Sequence, residues 1–380
     1  MSQDTTPYTA AHIQVLEGGE AVRKRPGMYI GSTGERGLAQ MVFEVAERAV
    51  NEVLAGRAGR VEITLTADGA VRVADDGPGE QDVEALLTRM RSGPGPRGRH
   101  HVTTGYVGVG PFVVNALSSR MTAEVRRAGV CRVQEYASGA ALGPLTATGP
   151  AAGSGTVIAF WPDPDIFAGA RLPFDELADR FRVLALLNRD LDVSLTDERH
   201  PGGGRAARFR FPGGVRDLLD LLDAPHEAPA VTDVIGFEGE DPRMAGTVEV
   251  ALRWRGSGEE RVRGYANSRP TPRGGSHELG LRDGLAAAID AYARRRPLPA
   301  TDPDTGPGGD PGAGLVGAGL TAVVSVKLDE PEFLGATRDV LGNAAVRDCV
   351  AEAVREHVGA WLEAHPRQAA AVVGQILGDL

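Results

Sequence analysis

Residues 41–56 read MVFEVAERAVNEVLAG, and VADDGPG at 73–79 and TGYVGVG at 104–110 follow in that order. The first segment is predicted to be a helix. Leu38, Val42, Val45, Ala49 and Val53 recur at three- and four-residue steps and form one apolar stripe. Glu44, Arg48 and Glu52 stack an acid, a base and an acid on the other face. Val61, Ile63 and Leu65 then alternate with polar residues, as in a half-buried strand. Asp68-Gly69 is a hairpin turn signal, and Val71 and Val73 carry the alternation into Asp75-Asp76-Gly77-Pro78-Gly79. A carboxylate at a strand end beside glycines can accept a hydrogen bond from a ligand amine with little steric obstruction. Gly105, Gly108 and Gly110 precede an apolar helix, Phe112 to Leu117. Glycines in that place present bare N–H groups and a positive dipole end to an anion. The glycine loop alone is a weak signal. The acidic helix, DDGxG and the loop in this order are far more specific.

A chain of 380 residues with 42% hydrophobic content can bury two cores. Its formal charge of −10 gives no overall nucleic-acid signal, although an acidic protein can still carry a basic inner surface. Cys131 and Cys349 are far apart and form no metal spacing, so idle or buried thiols in a reducing compartment are expected. No apolar run approaches transmembrane length, and MSQDTTPYTA has no signal pattern, which gives a cytoplasmic reading without a membrane partner.

Further along, a helix is predicted over Phe174–Leu187 and a strand around Leu191–Leu195, with HPGGGRAARF at 200–209 as a turn region. Val248, Val250, Leu252 and Trp254 alternate, and with RVRGYANS at 261–268 they read as a hairpin pair. Leu279–Tyr292 reads as a helix, 301–314 as a Pro/Gly-rich loop, and LTAVVSVK at 320–327 as a buried strand. Val346, Val350, Val354 and Val358 stripe an amphipathic helix from Ala344 to Ala364. His100-His101 reads as a solvated loop pair and His277 as structural.

The chain closely resembles the N-terminal ATPase fragment of DNA gyrase B, in the superfamily of gyrase, Hsp90, histidine-kinase and MutL ATPases (GHKL). HIQVLEGGEAVRKRPGMYIGSTGERGL at 12–38, GSGTVIAFWPDPDIF at 153–167 and ATRDVLGNAAV at 336–346 carry the resemblance beside the motifs above. It implies an α+β fold: a Bergerat ATPase sandwich at 16–215 after a dimerisation arm at 1–15, then a transducer-like α+β domain at 216–380. It implies ATP as the cofactor. Glu44 resembles the general base that activates water, since a tuned carboxylate can accept that proton. Asp75 resembles the reader of the adenine amino group, with Thr156 assisting and Gly79 beside it. Gly105, Gly108, Val109 and Gly110 resemble the lid whose amides hold phosphate. Arg338 stands where the family has a lysine that reaches the terminal phosphate. Tyr8 resembles the arm tyrosine that crosses to the partner's nucleotide, and Arg132 an arginine at the pocket rim.

The departures are as specific. Arg48 stands where the family has the asparagine that ligates magnesium, and a guanidinium has donors only. No metal ligand is therefore assigned, and magnesium is in question. Arg48 either pairs with Glu44 one turn away or places its guanidinium in the metal position against phosphate. Either way, a cation beside Glu44 would lower its pKa and its basicity. Asn51 replaces an aspartate, Pro78 an arginine, Ala336 a glutamine that contacts the terminal phosphate, and Tyr106-Val107 a leucine-histidine pair. Residues 88–103 make a short, basic lid. No metal-binding TOPRIM segment or DNA-cleavage domain follows, so strand cleavage by this chain alone is not expected. Two functions remain open. One is an ATP-operated dimer gate of topoisomerase type, a homodimer through its arm, with DNA or a topoisomerase-like protein as partner. The other is a nucleotide-binding scaffold or regulator with hydrolysis weak or lost. A histidine-kinase role is disfavoured because no phospho-acceptor helix is visible.

Overall fold

The computed structural model describes residues 18–90, 98–99, 101–103, 109–199, 204–225, 228–295, 317–335 and 338–378. Tyr8 and the arm, His100, Gly105, Tyr106, Val107, Gly108, the loop at 301–314 and Ala336 lie outside them.

Two short helices, α1 (Gly18–Lys24) and α2 (Gly27–Ile30), lead into α3 (Glu35–Leu54). β1 (Val61–Leu65) and β2 (Val71–Asp75) form the expected hairpin, closed at Gly69 with φ 87°. After α4 (Val83–Thr88) and α5 (Pro111–Ala116) come β3 (Ser118–Arg127), β4 (Val130–Ala137), β5 (Ala140–Ala141), β6 (Thr146–Pro150) and β7 (Gly155–Pro162). Then α6 (Phe174–Leu186) precedes β8 (Val193–Asp197) and β9 (Arg205–Phe209). These strands make a nine-stranded sheet in the order β5-β4-β3-β7-β2-β1-β8-β9, with β6 on β4. All pairings are antiparallel except β1 with β8.

α3 lies against this sheet. Its apolar stripe is buried as predicted, and burial runs all round its first turns, from Gly37 to Ala46. Glu44, in the middle of that stretch, is 1% exposed. The turn expected at 200–209 is in part a strand: β9 pairs with β8 from Arg205 to Phe209. The glycines before it obscured a five-residue edge strand.

The second unit contains α7 (Val215–Asp223), β10 (Ile235–Asp241), β11 (Gly246–Trp254), β12 (Arg261–Ala266), β13 (Arg269–Pro270), α8 (Ser276–Arg295) and β14 (Leu320–Leu328). A small hairpin, β15 (Phe333–Leu334) with β16 (Val340–Leu341), precedes α9 (Ala344–Ala364) and α10 (Pro366–Gly378). The sheet order is β10-β11-β14-β12-β13. β11 and β12 are therefore not the hairpin pair that their adjacency suggested. β14 runs between them, antiparallel to β11 and parallel to β12, and α8 lies in the crossover. A parallel neighbour requires such a crossover. β14 is central and buried on both faces, so its continuous apolar run is the pattern of a doubly covered strand. Ala322, Val324 and Val326 face the core under α8 and α9, while Val323 joins Ala251, Tyr265 and Leu218 beneath α7.

Candidate nucleotide cleft

The two carboxylates of the DDGxG motif part at the end of β2. Asp76 accepts the backbone amides of Gly59 and Arg60 at 2.7 and 3.1 Å. Asp75 turns inward, opposite Thr156 on β7, and accepts the Gly77 amide at 3.0 Å. Gly79 is left-handed with φ 81°, and a Cβ there would stand 2.5 Å from the Arg126 carbonyl oxygen, so the turn requires glycine. The Thr156 hydroxyl accepts the Glu80 amide at 2.9 Å.

Glu44 projects from α3 into the wall of a cleft of about 750 Å3. One carboxylate oxygen accepts Gln40 Nε2 at 2.7 Å and the other accepts the Gly110 amide at 2.9 Å. Burial pushes its pKa up. The Gly110 amide, Gln40 and the charge of Arg180 oppose that shift without cancelling it. Gln40 lies one helical turn before Glu44 on the same face, a spacing that could have flagged it in the sequence.

Arg48 does not pair with Glu44. Its Nη2 bonds the Asp75 carboxylate, and its Nη1 lies 3.7 Å from Glu80. The expectation that a cation beside Glu44 would depress its pKa is thus overturned: the guanidinium reaches across to β2, and desolvation sets the sign at Glu44. Asp75 is also pushed up by burial, with Arg48 pulling the other way. Glu52 is taken by Arg57 through two bonds of 2.8 Å, which lower its pKa.

Other predicted residues spread more widely. Gly110 precedes α5, and its amide is given to Glu44. Val109 packs on the first core. Arg132 sits on β4 opposite Val125, away from the cleft walls; Arg127 lines a smaller cavity beside them and donates to the Gly79 carbonyl at 2.8 Å. Arg338 is exposed, left-handed at φ 56°, in the turn between β15 and β16, and does not line the cleft. The second unit contributes Asp329 to the cleft wall. Asn51 bonds both backbone groups of Val102, at 2.9 and 2.8 Å, and so ties the end of the predicted lid to α3. His277 is buried, bonded to Thr271 at 3.0 Å, and its pKa is lowered to about 4 by burial. Among the described residues no helix is long and apolar enough to cross a membrane.

Two family models match. Residues 33–166 match "Histidine kinase-, DNA gyrase B-, and HSP90-like ATPase", and 214–379 match "DNA gyrase B". The novobiocin-resistant DNA gyrase B of Streptomyces niveus is 39% identical over 97% of this chain and 57% of that protein. The DNA gyrase B of Streptomyces coelicolor is 38% identical over 96% of the chain and 56% of the protein. The chain thus spans a little over half the length of these relatives. Among solved structures, the 43K ATPase domain of Thermus thermophilus gyrase B, in complex with an aminocoumarin, superposes with a TM-score of 0.79. It is 31% identical over 96% of this chain and 95% of that one. The topoisomerase IV ATP-binding domain of Francisella tularensis gives 0.74 at 29% identity, over 95% and 96% of the two chains.

Proposed function

The chain belongs to the DNA gyrase B family, among the histidine-kinase-, gyrase- and Hsp90-like ATPases, and from that premise we propose that it binds ATP in the cleft beside Glu44 and acts as a slow, nucleotide-operated dimer gate. The observation that carries this reading is Glu44 itself. Its carboxylate is buried at the cleft wall, held by Gln40 and Gly110, and raised by desolvation. A carboxylate so placed holds a proton more strongly than an exposed one, the direction that general-base work requires. In the reaction, a water would transfer a proton to Glu44 while its oxygen bonds to the terminal phosphorus and the phosphate–ADP bond breaks.

Magnesium does not fit the family's ligand position. Arg48 offers donors only, and its guanidinium is engaged with Asp75. Without that metal, charge developing on the transferring phosphoryl group is poorly neutralised. Ala336 also lacks the donor that the family's glutamine supplies, and losing one preorganised donor typically slows a reaction about 100–1,000-fold. The two losses act on one step and need not multiply. A scaffold that binds nucleotide without turnover is the second reading, favoured by Arg48 on the carboxylate that family members use to read the base.

The test combines equilibrium binding of ATP, steady-state phosphate release with Glu44→Ala as the blank, and light scattering with a non-hydrolysable analogue. Binding, analogue-promoted dimerisation and a rate slightly above the blank are expected. Binding with a rate equal to the blank selects the scaffold. A rate like that of ordinary gyrase-type ATPases would mean that another group holds the metal. Absence of ATP binding would remove the nucleotide reading altogether.

A further inference from the structure

The base-reading end of the cleft is already occupied by the protein. The Asp75 side chain is 1% exposed, with one oxygen on Arg48 Nη2 and the other on the Gly77 amide. Thr156 is fully buried and its hydroxyl accepts the Glu80 amide at 2.9 Å. The large cleft and the neighbouring cavity of about 160 Å3 share Arg48, Glu52, Arg57 and Glu80 as walls, and neither is lined by Asp75 or Thr156. The Arg48 side chain, 12% exposed, lines both cavities while it holds the Asp75 carboxylate. Its Nε is buried without a hydrogen-bond partner, so the guanidinium is held chiefly by the carboxylates.

Resting on the nucleotide reading above, we infer that Arg48 sets the specificity of this site by standing in for the base's amino group at Asp75, so that the cleft accepts nucleoside triphosphates with little preference for adenine.

The energetics favour the occupied state. An adenine amino group that displaced Arg48 would exchange an ion pair, charged on both sides, for a contact charged only on the carboxylate side. The displaced guanidinium would also leave Glu80. Adenine thus gains little at Asp75 that another base would lack, and discrimination normally rests on leaving a buried polar group unpaired by the wrong ligand. Here Arg48 keeps that group paired whichever base is present. Attraction then falls on the phosphates, which every nucleoside triphosphate shares.

The test is calorimetry on the full chain with AMP-PNP and GMP-PNP, for the wild type and for Arg48→Asn, which withdraws the side chain from Asp75. Wild-type affinities within about threefold of each other, with at least tenfold preference for AMP-PNP in Arg48→Asn, are expected. Wild-type preference for AMP-PNP of tenfold or more overturns the inference and leaves the nucleotide reading intact; this comparison stands even if Arg48→Asn fails to fold. Equal affinities in both proteins overturn the part given to Arg48. Binding of neither analogue by the wild type defeats the inference together with the reading on which it rests.

Discussion

At the scale of single residues, Glu44 shows how a catalytic candidate is held at a cost to stability. Its desolvation is the largest influence on it and outweighs both hydrogen bonds. The folded protein therefore keeps the Glu44 proton above pH 4.5, where the unfolded chain releases it. Between that pH and the raised folded value, the folded state binds more protons than the unfolded one, so stability from this group falls as pH rises. Glu44→Gln removes that slope. The variant is expected to melt above the wild type at neutral pH, with the gap closing toward pH 4.5, and to release no phosphate above background. Thermal melts from about pH 5 to 8 check the first expectation. A variant less stable throughout that range would mean that the bonds to Gln40 and Gly110 outweigh the burial. Any residual wild-type hydrolysis should rise with pH along a limb above the ordinary carboxylate range, because the base must be ionised. The place of Glu44 in the cleft wall was legible from the motif order, but its electrostatics were not. One-turn spacing offered Arg48 as a partner, whereas the long arginine side chain reaches a carboxylate on β2 that local periodicity cannot see.

At the scale of elements, α8 and α9 show what small residues do in a helix pair. A Cβ on Gly280 would meet the Arg347 carbonyl oxygen at 2.4 Å, and one on Gly284 the Ala351 carbonyl oxygen at 2.6 Å. Both obstacles are backbone of α9 and cannot swing aside. Gly359, on α9, would meet nothing within 4 Å. Alanine is favoured over glycine in a helix interior by about 1 kcal/mol, whereas overpacking costs typically about 1–3 kcal/mol. Gly280→Ala should therefore lower stability by up to about 2 kcal/mol, and Gly359→Ala should raise it by up to about 1 kcal/mol. Chemical denaturation of the two variants decides this; equal effects would show that α8 can move away from α9. The valine stripe of α9 was readable because its period is local, and it is buried as predicted from Val346 to Val358. The partner of β12 was unreadable for the opposite reason. β14 begins 54 residues after β12 ends, and two alternating runs close in sequence imitate a hairpin when a crossover strand lies between them.

At the scale of the whole molecule, the two units meet through an apolar seam under α7 and a charged contact at the cleft. Arg99 is the centre of that contact. Its Nε and Nη2 bond the Asp329 carboxylate at 3.0 and 2.9 Å, and its Nη1 reaches Glu240. The Asn267 amide adds a 3.4 Å bond to the neighbouring Gly98 carbonyl. The basic character of 88–103 was plain in the sequence. Its acceptors were not, because they lie more than 140 residues away in the other unit. Asp329 and Glu240 are 46% and 63% exposed, so the contact is wet and screened. Exposed ion pairs contribute little to stability, too little to hold the fold but enough to bias a segment between docked and released positions. Arg99→Ala is thus expected to leave the melting temperature almost unchanged while speeding amide hydrogen exchange at 98–99, at 101–103 and near Asp329. Arg99→Lys should recover only part of the protection, since a single ammonium cannot reproduce the forked contact with Asp329. Raising salt should loosen the wild type in the same places. A large fall in melting temperature for Arg99→Ala would make the contact a structural strut, and unchanged exchange would mean that Asn51 and Asn267 hold the segment without it.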